Sequence, residues 1–271
     1  MVPIAARDIA AVLGGLLVVT AAVSEIGTLI VPRPIGSWLT RLVDRLVNGA
    51  FRMATGAIPD YRRRDRVLAA QAAAILLAQL AAWLGIFFVG YSLLLWPFVP
   101  DITIAFTTAG PALWEIGSST VRGAPERAIQ DIASLSGIIT VTLQIAYLPT
   151  LYSAFNRREN EVALLNARAG VPSWGPELLA RTHYALGSGT STINTLPDLY
   201  RQWERWAADV AESHTTYLPL VRFRSPQANS SWVISIVVVL FSYSSPGHDF
   251  PSHRLRHVGG ANICERIGGF V

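Results

Sequence analysis

From Val67 to Pro100 the chain runs for 34 residues without a charged side chain. About 20 apolar residues suffice to cross a bilayer core as a helix, so this run is long enough to span with tilt. Ala and Leu dominate it to about Leu84; Phe87, Phe88, Tyr91 and Trp96 follow, and Pro97 and Pro100 end the helix. Tyr91 and Trp96 suit the aromatic belt at a membrane interface. A run from Ile9 to Val31 is broken only by Glu25. That carboxylate sits near the end of the run, where it reaches the interface or faces other helices. The competing reading is a cleaved signal peptide, but the run is too long and Arg7 is offset by Asp8. A third run, Ile132 to Asn156, has 25 uncharged residues, with Pro149 inside it to kink the helix. The 12 apolar residues from Trp232 to Tyr243 are short for a span and read as a buried or interfacial helix. The fold class expected is all-α: a polytopic membrane protein with three transmembrane helices.

Composition agrees. Hydrophobic residues make up 51% and charged residues 15%, against about 25% charged in soluble domains. The mean hydropathy is +0.38. All 22 basic side chains among the 271 residues are arginine. Without lysine there is no Schiff-base chemistry and no lysine-bearing phosphate loop. One cysteine, Cys264, excludes an intrachain disulfide framework or multi-cysteine metal site. No cofactor, no metal and no enzymatic activity are expected.

Arginine placement orients the chain. Residues 32–66 hold Arg33, Arg41, Arg45, Arg52, Arg62, Arg63, Arg64 and Arg66 against Asp44, Asp60 and Asp65, a net +5. Residues 98–130 carry a net −1, and Arg157 and Arg158 follow the third run at once. The positive-inside rule puts 32–66 and the chain after 156 in the cytoplasm and the N-terminus outside. The expectation is a multi-pass protein of the cell inner membrane. A pI of 9.6 then reports topology rather than nucleic-acid binding. The chain divides into 1–31, 32–66, 67–156, 157–241 and a disordered tail, 242–271.

Between the first two spans, Trp38, Leu39, Leu42, Val43, Leu46, Val47, Ala50 and Phe51 recur at helical spacing behind a Ser37 N-cap. Arg41, Asp44, Arg45, Asn48 and Arg52 fill the other face. This pattern predicts a helix lying in the cytoplasmic interface. Arg41, Arg45, Arg52, Arg62, Arg63 and Arg64 are candidate contacts to anionic lipid, at about 1 kcal/mol per basic residue. The bland alternative is a plain topology anchor.

Between the second and third spans, Ile102 to Trp114 is uncharged, and small residues follow Glu115: Gly117, Ser118, Ser119, Thr120, then Val121, Arg122 and Gly123. A helix, an apolar hemi-helix, a small-residue turn and a helix is the order of a pore loop, whose carbonyls line a pathway. Gly117, Ser118, Ser119, Thr120, Arg122 and Gly123 are the candidate pore-lining residues. A potassium filter repeats Thr-Val-Gly-Tyr-Gly; here Arg122 stands where a glycine would be. The bland alternative is a folded extracellular loop.

Residues 157–231 read as a helical cytoplasmic region: Glu159–Arg168 stopped by Gly170 and Pro172, a helix from Pro176 to Tyr184, a Gly/Ser/Thr loop from Gly187 to Thr195, and a helix from Pro197 to His214. Trp203 and Trp206 at helical spacing read as core. Ser213, His214 and Glu212 sit side by side without a nucleophile motif, and neighbours on a helix point apart. Val221 to Pro226 alternates like a short extended piece. In the tail, His248, His253, His257 and Cys264 fit no standard zinc spacing; disorder or an altered reading frame accounts for its character.

Leu148–Asn160 (LPTLYSAFNRREN), Trp203–Trp206 (WERW) and Glu212–Val233 (ESHTTYLPLVRFRSPQANSSWV) resemble an uncharacterised family of bacterial membrane proteins, itself similar to two-helix pore-loop ion channels. The resemblance covers about residues 70–240. It implies a channel-like protein with a monovalent cation as the permeant species and, since one two-helix unit cannot surround a pathway, a homo-oligomer. Gly117, Ser118, Ser119 and Thr120 match the start of the family's loop; its Gly-aromatic pair is missing here, which sets ion selectivity against the implication. A non-conducting membrane scaffold or sensor with a cytoplasmic partner-binding region is the other expectation.

Overall fold

The structure, a computed structural model, describes residues 4–31, 37–114, 123–183, 195–226 and 230–244. Every regular element among them is helical: α1 (Ile4–Leu29), α2 (Trp38–Gly56), α3 (Tyr61–Ala69), α4 (Gln71–Leu95), α5 (Ile102–Ala112), α6 (Ala124–Ala169), α7 (Gly175–His183), α8 (Leu196–Thr216) and α9 (Trp232–Ser244), with short 3-10 turns at Trp96–Phe98 and Leu218–Arg222. Three stretches are long and apolar enough to cross a membrane: Ile4–Leu29, Tyr61–Phe98 and Ala124–Ala169. The chain is a helical membrane protein by that measure. It divides into two compact units, one of residues 1–57 and 70–150, the other of 58–69 and 151–271.

In the first unit α1 and α4 run antiparallel, since Gly14 meets Gly90 while Ser24, further along α1, meets Trp83, earlier in α4. A Cβ on Gly14 would stand 2.5 Å from the Gly90 carbonyl oxygen, and one on Gly90 would stand 2.8 Å from Val18 Cγ2. Glycine at both positions therefore permits the close backbone approach that packs helices in lipid, where no hydrophobic force draws them together. The N-cap of α2 is Ser37, whose Oγ accepts from Leu39 N at 3.2 Å, as the sequence predicts. The same oxygen accepts from Ser24 Oγ at 2.8 Å, and Ser24 accepts from Trp83 Nε1 at 3.2 Å. This chain of bonds seats α2 on α1 and α4. Leu39, Val43 and Val47 then pack on Trp83, while Trp38, Leu42, Leu46 and Met53 stay exposed. The predicted apolar stripe thus divides between a protein-facing and an outward-facing half.

Helix α5 begins at Asp101, whose carboxylate accepts from Ile102 N at 2.8 Å. It packs back along α4: Phe106 meets Phe88 edge-on at 5.4 Å, and Gly110 lies against the same ring. Ala105, Ala109, Ala112 and Leu113 share a core with Phe87, Tyr91 and Leu95. The far end of α5 docks on α6, where Ser134 Oγ donates to Ala112 O at 2.5 Å and Gly137 leaves room for the Leu113 carbonyl.

Several boundaries differ from the sequence expectation. The run from Val67 breaks at Ala70: Val67, Leu68 and Ala69 finish α3, and α4 begins at Gln71. The third apolar run and the amphipathic segment after it form one helix of 46 residues, passing through Pro149. The missing proline N–H removes one helical bond, and the turns on either side keep theirs. The stop at Gly170 holds: it adopts φ +83° and donates to Asn166 O at 2.9 Å, a left-handed cap that glycine takes without strain. Leu218–Arg222 is a 3-10 turn, and the backbone is extended at Phe223 just after it. The helix predicted at 232–243 is α9 and reaches Ser244, inside the segment expected to be disordered; 245–271 and most of the predicted 187–195 loop lie outside the described residues.

The second unit has its own core. Leu165, Leu178, Leu199, Trp203, Trp206, Val210, Ile236 and Val239 are buried together, so α9 is a core helix here. Trp203 and Trp206 belong to that core, with ring centroids 4.5 Å apart, as their spacing predicts.

Candidate functional site

Of the candidate pore-lining residues, Gly117, Ser118, Ser119, Thr120 and Arg122 lie outside the described residues. Gly123 is described. Its carbonyl accepts from Arg127 N at 3.2 Å in the first turn of α6, and the Glu126 carboxylate folds back over its bare Cα. The candidate lipid contacts Arg41, Arg45 and Arg52 on α2, and Arg62, Arg63 and Arg64 on α3, are all exposed. Arg63 pairs with Asp60 at 3.7 Å, an exposed pair of small energetic weight. Asp60 also caps α3, accepting from Arg62 N at 3.2 Å.

Two buried charged side chains, one in each unit, carry more chemistry than these. In the first unit, Glu25 on α1 is only 3% exposed. Its Oε2 lies 3.0 Å from Thr140 Oγ1 on α6. Thr140 is fully buried, and its Oγ1 also lies 2.8 Å from Ser136 O. Glu25 Oε1 is buried without a hydrogen-bond partner, and so is Oε1 of Gln144, one turn further along α6. Around them the helices are tied by Tyr91 and Ser136, whose hydroxyls are 2.6 Å apart.

In the second unit, Arg158 on α6 is 1% exposed. Its guanidinium makes four hydrogen bonds and a further ion-pair contact. Nε–H donates to Glu159 Oε1 at 2.9 Å; one Nη donates to Leu220 O and His214 Nε2, both at 3.1 Å. The other Nη donates to Phe223 O at 2.8 Å and pairs with Glu159 at 2.8 Å. The guanidinium plane lies over the rings of Phe155, at 5.2 Å, and Trp232, at 5.5 Å, a stacking that a planar delocalised cation favours. Trp206 Nε1 donates to the Arg158 carbonyl at 3.1 Å. One side chain thus joins α6, α8, the turn after it and α9.

The Arg158 donor fixes the His214 tautomer. Nε2 must accept, so Nδ1 carries the hydrogen and donates to Val210 O at 2.9 Å. Burial, and then the Arg158 charge, push its pKa down to about 4. Ser213 Oγ stands 3.3 Å from Nδ1, but neither ring nitrogen has a lone pair left to take its proton.

Sequence reasoning treated Arg157 and Arg158 alike, as topology markers. Arg157 is indeed half-exposed and pairs with Asp209 at 3.2 Å. The distinguishing signal was periodicity: Phe155, Arg158, Val162, Leu165 and Ala169 recur at three and four, and Val162, Leu165 and Ala169 are buried. Phe155, Trp206, His214, Leu220, Phe223 and Trp232, from three separate segments, converge on Arg158. No ion pair of Arg224 was foreseen either; it bonds Asp65 of α3. Among the described residues no group of three potential metal ligands is assembled. No protein-family model matches the chain, and no curated protein or solved structure matches it.

Proposed function

We propose that the chain is the subunit of a channel-like protein of the bacterial inner membrane, with its N-terminus outside and residues 157–241 in the cytoplasm. Several copies surround a pathway for a monovalent cation, and residues 102–123 are the pore-loop element. The observation that carries this reading is the course of α5. It follows α4 back from Asp101 and ends against Ser134 and Gly137 of α6, as a descending hemi-helix does. The carbonyl end of a helix carries partial negative charge, which favours a cation near Leu113. Arg122, nine residues further along the sequence, carries a charge of the opposite sign to that preference. The arginine excess in 32–66 supports the orientation and contact with anionic lipid.

The test is ion flux from liposomes containing the full chain. Arg122→Gly is expected to raise flux above that of the parent protein. If neither form conducts and the protein is monomeric in detergent, the reading fails. A specific observation favours the second reading, a scaffold or sensor that binds a cytoplasmic partner: the second unit exposes Trp174, Leu218, Val221, Val237 and Phe241. A monomer that does not conduct would leave that reading standing.

A further inference from the structure

We propose that Glu25 and Thr140 form a binding site for one small cation within the membrane, a proton or a sodium ion, with the Gln144 carbonyl as a further oxygen. This site is separate from the loop at 102–123 and does not rest on the pore reading.

The argument is a count of hydrogens and charges. Thr140 Oγ1 is 2.8 Å from Ser136 O and 3.0 Å from Glu25 Oε2. A hydroxyl has one hydrogen, so one of these two close oxygen pairs lacks its own. The bond back to the carbonyl four residues earlier is the ordinary use of a helical threonine hydroxyl. Where Thr140 gives its hydrogen to Glu25, that is the one bond the carboxylate has; where it gives it to Ser136 O, Glu25 Oε2 and Thr140 Oγ1 meet as two acceptors. Glu25 Oε1 and Gln144 Oε1 add two buried acceptors without donors.

Among the described residues no positive side chain pairs with Glu25. Helix α4 has no charged residue, and its one tyrosine, Tyr91, is bonded to Ser136. The stretch 132–156 of α6 is uncharged and holds Tyr147 and Tyr152. On α2, Arg41, Arg45 and Arg52 are exposed and Asp44 is half-buried. A carboxylate held inside a bundle without a partner costs several kcal/mol. One added positive charge removes both deficits. A proton on Oε2 donates to Thr140 Oγ1; a sodium ion accepts lone pairs from Glu25, Thr140 and Gln144 instead.

The test uses the full chain in detergent and a hydrophobic carbodiimide, which adds to protonated carboxyls in apolar surroundings. Adduct at Glu25 is read by mass spectrometry, with Glu25→Gln assigning the peptide. Labelling is followed over a pH series, in sodium and in an organic cation too large to enter. If the ligand is a proton, labelling falls about tenfold per pH unit above its midpoint, whatever the salt. If it is sodium, sodium alone removes the labelling. In Thr140→Val, which keeps the carboxyl but loses the hydroxyl, the midpoint or the sodium protection must shift. No labelling under any condition, labelling that responds to neither pH nor sodium, or an unaltered Thr140→Val response overturns the proposal.

Discussion

Glu25 and Arg158 are both buried charges, one in each unit, and they are finished to different degrees. Arg158 makes four hydrogen bonds to carbonyls, a carboxylate and a ring nitrogen and lies over two aromatic rings. Glu25 has one contact through an oxygen that is already engaged, and one oxygen with none. A buried ion with all its bonds closed is part of the scaffold. A buried ion left open in an otherwise tight bundle points to something that comes and goes. The contrast is testable at both ends.

The largest effect is expected at Arg158. Arg158→Met leaves two carbonyls, Glu159 and His214 without their donor, and breaking a buried pair of this kind costs about 3–5 kcal/mol. Hydrogen exchange in α8 and α9 should rise accordingly, while α1 and α4 stay protected. Arg158→Lys should recover only part of the loss, because an ammonium cannot make the planar fork. An Arg158→Met protein as protected as its parent would end the scaffold reading.

The next effect is in pH. His214 is neutral in the fold with a pKa of about 4, against about 6.5 in an unfolded chain. Its contribution is therefore complete above pH 6.5 and is lost as pH falls toward 4, about 3 kcal/mol in all. Protection of α8 should fall over that window, and His214→Gln should flatten the dependence. Protection of α8 that is level from neutral pH to pH 4, after correction for the intrinsic exchange rate, contradicts the lowered His214 pKa.

Much of this was legible beforehand, and the part that was not has a physical cause. Long apolar runs, charge-free for α4 and α6 and broken only by Glu25 for α1, marked these helices, since a bilayer disfavours charges over a known length. The Ser37 cap, the Gly170 stop and the Trp203–Trp206 core followed from local chemistry. The join at Asn156–Arg157 did not: a change from apolar to charged composition resembles a helix end, although the backbone hydrogen bonds continue through it. Glu25 was placed near the end of its run, but Thr140 was out of reach, because a contact across 115 positions leaves no periodic trace.

Two smaller effects complete the comparison. Gly14→Val sets a side chain against the Gly90 carbonyl, and overpacking of this kind costs about 1–3 kcal/mol. It should lower the thermal midpoint of the first unit in detergent without altering exchange in α8. Glu25→Gln should cost least, under about 1 kcal/mol, since a neutral amide of the same shape needs no bound cation and adds a donor. A Glu25→Gln loss larger than that of Arg158→Met would reverse the contrast between the two sites.

The span of 115 residues between Glu25 and Thr140 also has a meaning in time. The ribosome makes α1 first and α6 last of the three apolar helices. At about 5–20 residues per second, Glu25 emerges roughly 6–23 s before the hydroxyl that meets it. The Gly14–Gly90 crossing closes earlier, as soon as α4 is out. During biogenesis the carboxyl on α1 therefore waits in a half-built bundle, facing lipid or the insertion machinery, and the arrival of α6 is the step that encloses it.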